Sequence, residues 1–304
     1  MDRQKVLAIV GPTGIGKTSL SVWLAKQLDG EIISCDSMQV YKKMDIGTAK
    51  VTQEEMQGIH HELIDVQNYN EPYNVKVFQE KCRTAIEDVV KRGKFPILCG
   101  GTGLYLKAAL YDYEFQEENE DIAYTTFLNS KTNVELVAML KEKDEKALEK
   151  IHPNNRKRLI RALQICHSGT SKSEQEDKQQ HIPLYDVYFL GLDVNREILH
   201  DRINKRVDIM FENGLVKEVE DLFTNPETWE YTSFQGIGYK EFKDYFLKEK
   251  SIDEVKTAIK THSRQYAKRQ YTWFKNQMPV HWFEAQNRDE IYSAVKEWLM
   301  DEDK

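Results

Sequence analysis

Residues 11–18 read Gly-Pro-Thr-Gly-Ile-Gly-Lys-Thr, the spacing of a phosphate-binding loop. This octapeptide constrains the fold because it works only between a strand and a helix. The run before it, Val6-Leu7-Ala8-Ile9-Val10, is apolar and rich in β-branched residues, which reads as a buried strand. The run after it, Ser19 to Leu28, carries apolar residues at helical spacing. Strand, glycine loop and helix in that order predict that Gly11, Pro12, Thr13, Gly14, Ile15, Gly16, Lys17 and Thr18 wrap a phosphate group. The glycines let several backbone N–H groups converge on one oxyanion at the positive end of the following helix. Lys17 adds a full charge to the bound phosphates, and the Thr18 hydroxyl is a candidate ligand of Mg²⁺. A glycine turn without a ligand is the competing reading, and the flanks count against it. The motif leaves open which phosphate compound is held.

The rest of the chain supplies the sheet that such a loop needs. Short apolar runs at Glu31–Asp36, His61–Val66 and Lys94–Cys99 alternate with helical periodicity, most clearly from Asn74 to Arg92 with Gly93 as its stop. This β–α–β–α–β rhythm predicts an α/β fold, a P-loop-type parallel sheet flanked by helices. The character changes between 113 and 182. Glu114–Asp121 is acidic, Asn133–Ile151 and Asn155–His167 read as helices, and Ser168–Gln180 is polar without periodicity. That region is expected to be a mainly helical insertion domain on a core made of 1–112 and 183–304. Strand character returns at Tyr185–Leu192. A long helix then starts at Asn195 or Asp193 and reaches Phe211, and the remainder is helical apart from a late strand at Val280–Phe283.

With 304 residues, 40% of them apolar, the chain can bury a sizeable core. A formal charge of −7 argues against a generally basic nucleic-acid coat, though not against a local basic face. Cys35, Cys82, Cys99 and Cys166 are scattered, without the spacing of a metal site or a disulfide framework. No run has signal-peptide or membrane-spanning character, so a cytoplasmic protein without membrane contact is expected.

Asp36 ends the second strand, where loops of a parallel sheet gather around a ligand; capping the next turn is its other reading. The strand ending at Cys99 enters Gly100-Gly101-Thr102 without the carboxylate that nucleotide-hydrolysing relatives of this loop often use for Mg²⁺. One acid, one threonine and a phosphate cradle fit base-assisted transfer better than ATP hydrolysis. His60-His61-Glu62 is a weak metal candidate, because adjacent strand residues point to opposite faces. From Val255 to Phe283 the chain has Lys256, Lys260, Arg264, Lys268, Arg269 and Lys275 and no acid, interleaved with Tyr266, Tyr271, Trp273 and Phe274. The first four basic residues recur every four positions, so they form one stripe on a helix. The stripe reads either as a solvated basic face or as an anionic partner's platform, with aromatics for stacking unpaired bases. A second basic cluster, Arg156, Lys157, Arg158 and Arg161, tilts the balance towards RNA. Arg202 and Arg206, one turn apart, face either one oxyanion or simply solvent.

Taken together these stretches resemble the tRNA dimethylallyltransferases, also called tRNA isopentenyltransferases. The matching residues are the loop at 11–18, Asp-Ser-Met-Gln-Val-Tyr at 36–41, Met-Asp-Ile-Gly-Thr-Ala-Lys at 44–50 and Gly-Gly-Thr-Gly-Leu-Tyr at 100–105. Ile-His-Pro-Asn-Asn at 151–155, Arg-Leu-Ile-Arg-Ala-Leu at 158–163, Gly-Ile-Gly-Tyr-Lys-Glu at 236–241 and Tyr-Ala-Lys-Arg-Gln-Tyr-Thr-Trp-Phe at 266–274 complete the ordered set. The resemblance implies transfer of a dimethylallyl group from dimethylallyl diphosphate to the N6 amine of the adenine immediately 3′ of the anticodon in certain tRNAs, with Mg²⁺ as cofactor. It implies that Asp36 is the general base, that Thr102 helps position it and that Arg206 contacts the diphosphate. It also implies tRNA contacts at Asp36, Ser37, Met38, Gln39 and Thr102, at Lys157, Arg158, Leu159, Ile160 and Arg161, at Gln235, Gly236, Ile237, Gly238, Tyr239 and Lys240, and at Lys268, Arg269 and Lys275. With no zinc-finger tail after Lys304, the bacterial type is implied, and a monomer binding the tRNA anticodon stem-loop is expected. A small-molecule or nucleotide kinase and an RNA-binding nucleotide switch are the alternatives. The kinase lacks its strand-end acid, and the switch leaves Asp36 and Thr102 without a task.

Overall fold

The computed structural model describes residues 3–115, 121–174 and 181–301. The chain forms two compact units, Met1–Tyr111 with Pro183–Lys304, and Asp112–Ile182.

The larger unit is built on one parallel sheet. Its strands are β1 (Lys5–Val10), β2 (Gly30–Ser34), β3 (His61–Glu62), β4 (Phe95–Gly100), β5 (Asp186–Asp193) and β6 (His281–Glu284), in the order β3-β2-β4-β1-β5-β6. Parallel neighbours require crossover connections, and helices provide them. These are α1 (Lys17–Leu28), the short α2 (Gln53–Met56), α3 (Val75–Lys91) and α4 (Gly103–Leu110). Strand β1 lies between β4 and β5, and Val6 to Val10 are completely buried. Its pleat sends Val6, Ala8 and Val10 into one apolar layer and Leu7 and Ile9 into the other. Leu20 and Leu24 of α1 pack in the second layer; Phe78, Ile86 and Val89 of α3 pack in the first.

Two local readings changed in the structure. The extended run expected at His61–Val66 pairs only over His61–Glu62, because Leu63 and Asp65 take left-handed backbone angles, φ 64° and 56°, that no strand accommodates. The helix expected over Asn133–Ile151 stops as an α-helix at Asp144. The Asp144 carboxylate accepts hydrogen bonds from the Ala147 amide and from the Ser173 amide and hydroxyl, and a 3₁₀ turn follows over Glu145–Glu149.

The smaller unit contains α5 (Ile122–Asn129), α6 (Asn133–Asp144) and α7 (Arg156–His167), joined by a core of Leu128, Leu136, Leu140, Leu159 and Leu163. Of the acidic run Glu114–Asp121 and the polar run Ser168–Gln180, residues 116–120 and 175–180 lie outside the described residues. The larger unit continues with α8 (Arg196–Glu212), α9 (Leu215–Leu222), α10 (Lys243–Phe246), α11 (Ile252–Gln277) and α12 (Arg288–Met300). Asn195, not Asp193, caps α8: its side chain accepts from the Glu197 amide. No helix among the described residues is long and apolar enough to cross a membrane.

Candidate active site

The loop at 11–18 connects the buried end of β1 to α1, as its flanks require. Side chains from two helices distant in sequence hold it in place. From α8, Arg206 donates to the Thr13 hydroxyl at 3.2 Å, and Arg202 donates to the Ile15 carbonyl at 3.4 Å. From α11, the Gln270 side-chain oxygen accepts from the Thr13 amide at 2.9 Å. Within the loop, the Lys17 ammonium donates to the carbonyls of Gly11 and Pro12, each at 2.9 Å. Arg202 and Arg206 therefore address the phosphate loop together, which their one-turn spacing allowed but did not require.

Lys17, Thr18, Arg206 and Asp36 line one cavity of about 710 Å³. Burial pushes the Lys17 ammonium down to about 8, with Arg206 adding to the depression and Cys99 and Asp36 opposing it. Burial also lowers the Arg206 guanidinium against the pull of Glu55 and Asp36, although arginine keeps its charge throughout. The site thus sets concentrated positive charge against the carboxylate of Asp36. Asp36 combines both readings offered for it. One carboxylate oxygen accepts from the amides of Met38 at 2.8 Å and Gln39 at 3.3 Å, capping the turn, while the side chain still borders the cavity.

Thr102 stands at the N-terminus of α4, next to Gly100 and Gly101 of the cavity wall. It adjoins the cavity beside Tyr266, which lines it and interacts with Thr102 and Gln270. Burial, then Asp36, raises the Tyr266 phenol, so it remains neutral. Gly103 must lack a side chain, since a Cβ there would lie 2.0 Å from the Trp273 ring. Tyr266, Gln270 and Trp273 recur at helical spacing along one side of α11, which explains why one helix lies so close over this wall.

The loop after Asp36 is held by a residue that no motif marked. Glu218, on α9, accepts from the amides of Asp45 (2.8 Å), Ile46 (2.7 Å) and Gly47 (3.0 Å) and from the Tyr239 hydroxyl at 2.7 Å. Only an acidic position on an otherwise ordinary amphipathic helix signals it in the sequence. The same bond corrects one of the implied RNA contacts. Tyr239 is completely buried, so its side chain supports the 45–47 loop from inside. Gly238 packs directly on the Gly47 carbonyl, Gly236 packs on Met38, and Gln235 donates to the Trp229 carbonyl. Of the 235–240 stretch, Gln235 and Lys240 are exposed.

The basic stripe on α11 is divided. Lys256 and Lys260 both pair with Asp208 of α8 at 2.7 Å, and Arg264 donates to Asn204 of the same helix. The expected stripe therefore serves helix packing over its first half, for an acid 48 residues upstream of Lys256 neutralises it. Lys268, Arg269 and Lys275 remain exposed, with Arg269 over the Tyr266 ring and Lys275 over the Tyr271 ring at 5.7 and 5.9 Å. In the smaller unit Lys157, Arg158 and Arg161 are exposed on α7 and Ile160 is partly buried. Leu159 is a core residue there with no exposed surface, which corrects its place among the implied contacts. Arg156 is also structural, donating to the carbonyls of Leu128, Asn129 and Lys131.

Glu31, His60 and Glu62 bring their donor atoms within 4.8 Å of one another. The Arg92 guanidinium bonds both carboxylates, at 2.6 and 2.8 Å, so the group is an ion network. His60 turns to Glu62 while His61 faces the cavity.

A family model described as IPP transferase matches residues 39–277. A protein of Bacillus anthracis named tRNA dimethylallyltransferase is 50% identical over 301 residues, covering 97% of this chain and 96% of that protein. The crystal structure of full-length tRNA isopentenylpyrophosphate transferase from Bacillus halodurans superimposes with a TM-score of 0.74 at 41% identity, covering 98% of this chain and 97% of that one. A eukaryotic dimethylallyltransferase acting on tRNA superimposes with a TM-score of 0.82 at 32% identity, over 97% of this chain and 79% of that one.

Proposed function

The chain belongs to the IPP transferase family and prenylates tRNA, and from that premise we propose that it moves a dimethylallyl group from dimethylallyl diphosphate to the N6 amine of the adenine immediately 3′ of the anticodon. The observation that carries this reading is one cavity lined together by Lys17, Arg206 and Asp36. In the reaction the C1–O bond of the dimethylallyl diphosphate breaks and the C1–N6 bond forms. The proton of N6 goes to Asp36, and the electron pair of the broken bond leaves with diphosphate. An adenine amine is a weak nucleophile because its lone pair is delocalised into the ring, and a positioned base contributes roughly 10²–10⁴ in rate. Charge grows on the departing diphosphate, so Lys17, Arg206 and the loop amides act where the transition state differs most from the ground state.

The donor set also suits Mg²⁺. Thr18 offers a hard oxygen beside Lys17 on the cavity. Bound there, the ion would help neutralise the diphosphate. The adenine must leave the anticodon stack to reach Asp36. Exposed Lys268, Arg269 and Lys275, alternating with tyrosine rings, provide charge and stacking for the RNA. The four cysteines are free thiols, consistent with the cytoplasm.

The test is nucleoside mass spectrometry of tRNA after incubation with protein and dimethylallyl diphosphate in the absence of ATP. The prenylated adenosine is expected; strict dependence on ATP would favour the kinase. In Asp36→Asn the remaining amide oxygen still accepts from Met38 and Gln39, so the turn survives. That variant should bind tRNA normally and lose at least about 10² in transfer rate. Undiminished turnover would remove Asp36 as the base.

A further inference from the structure

We propose that Gln270 is a positioning residue that locks the phosphate loop to the Thr102 wall, so that the diphosphate and the proton acceptor face one reaction point. The proposal rests on the reading that residues 11–18 hold the diphosphate. Gln270 is 6% exposed within α11, where a buried amide is costly unless its donor and acceptor are both used. Its oxygen accepts from the Thr13 amide at 2.9 Å, and its nitrogen donates to the Gly101 carbonyl at 3.0 Å. The amide orientation is fixed because one partner can only donate and the other can only accept. These two partners lie just beyond the ends of adjacent parallel strands, β1 and β4, and both line the cavity. The paired register of the two strands ends at Val10 and Gly100, so the side chain of Gln270 continues the cross-link one step into the active site.

Three further observations tie Gln270 to the chemistry. Tyr266, one turn earlier on α11, lines the cavity and interacts with Gln270, Thr102 and the charge of Asp36. A Cβ at Gly101 would lie 2.1 Å from the Gln270 nitrogen, so a side chain there would displace the Gln270 amide. Thr13, which Gln270 holds by its amide, is held by its hydroxyl from Arg206. Gln270 therefore acts on the cradle through the backbone of Thr13 and Gly101. Displacing a reacting pair by even an ångström is enough to lower a rate strongly.

Full-length Gln270→Met and Gln270→Glu variants test this, with inorganic diphosphate as the binding probe and transfer to tRNA as the rate. Methionine fills the space and keeps neither bond. It should weaken diphosphate binding by about tenfold and lower kcat further, with KM for tRNA unchanged. A purely structural defect would lower the active fraction but leave the dissociation constant of the remaining molecules unaltered. In Gln270→Glu the protonated carboxyl reproduces both bonds, whereas the carboxylate cannot donate to Gly101. Its rate relative to the parent should therefore fall as pH rises through that carboxyl, which burial shifts upward. A flat ratio across pH, or Gln270→Met binding diphosphate as the parent does, overturns the proposal. Loss of diphosphate binding in Lys17→Met beside an unaffected Gln270→Met would do so while leaving the cradle reading intact. Unaffected binding in Lys17→Met would instead refute the cradle itself.

Discussion

Lys17 shows how one residue carries a pH dependence. Its ammonium is pushed down to about 8 by burial, so it is charged at neutral pH and loses its proton as pH rises through that value. A bound diphosphate favours the charged form, so the complex holds the proton more tightly than the free protein does. Affinity for dimethylallyl diphosphate should therefore fall above pH 8, by roughly tenfold per pH unit at most. Titration calorimetry at pH values on either side of that point checks this, and Lys17→Met should bind weakly with no such slope over the same interval. Lys17 and Asp36 were both legible in the sequence, the first from a motif and the second from its place at a strand end. Gln270 and Glu218 were not. Each bonds backbone groups far away in the chain, and a side chain bonded to backbone leaves no partner residue type to recognise.

At the scale of elements, the loop after β2 is fixed because α9 holds it. Glu218 is the acceptor for the amides of Asp45, Ile46 and Gly47 and for Tyr239, all within 3.0 Å. Removing it by Glu218→Ala strands these donors and should cost about 2–4 kcal/mol, read as a lower midpoint in denaturant. Glu218→Gln keeps one acceptor oxygen and should lose less. An Ala variant as stable as the parent would show that the loop is held elsewhere. The elements themselves follow the sequence closely where periodicity is long, as in α3 and α8, whose caps Asn74 and Asn195 sit where the pattern begins. They depart from it where one backbone angle decides, as at Leu63 and Asp65, since a left-handed non-glycine residue has no reliable sequence signal. The division of the basic stripe was equally invisible, because Asp208 lies on another helix.

For the molecule as a whole, the contrast between overall charge and local charge decides how RNA is met. A chain of formal charge −7 repels a polyanion at long range, so binding depends on where exposed cations are not neutralised by a neighbouring acid. Lys256 and Lys260 share Asp208, whereas Lys268 has no acidic partner among the described residues and Arg269 lies against a tyrosine ring. Two charge-removing pairs on the same helix should therefore behave differently. Replacing Lys268 and Arg269 by alanine should weaken tRNA binding and reduce the slope of log affinity against log salt by roughly 0.7–0.9 for each phosphate no longer neutralised. Replacing Lys256 and Lys260 leaves Asp208 unpaired, so its effect belongs to stability and to the packing of α8 on α11, with the salt slope nearly unchanged. Equal slopes for the two double variants would mean that α11 meets RNA along its whole length and that Asp208 surrenders its partners when it does.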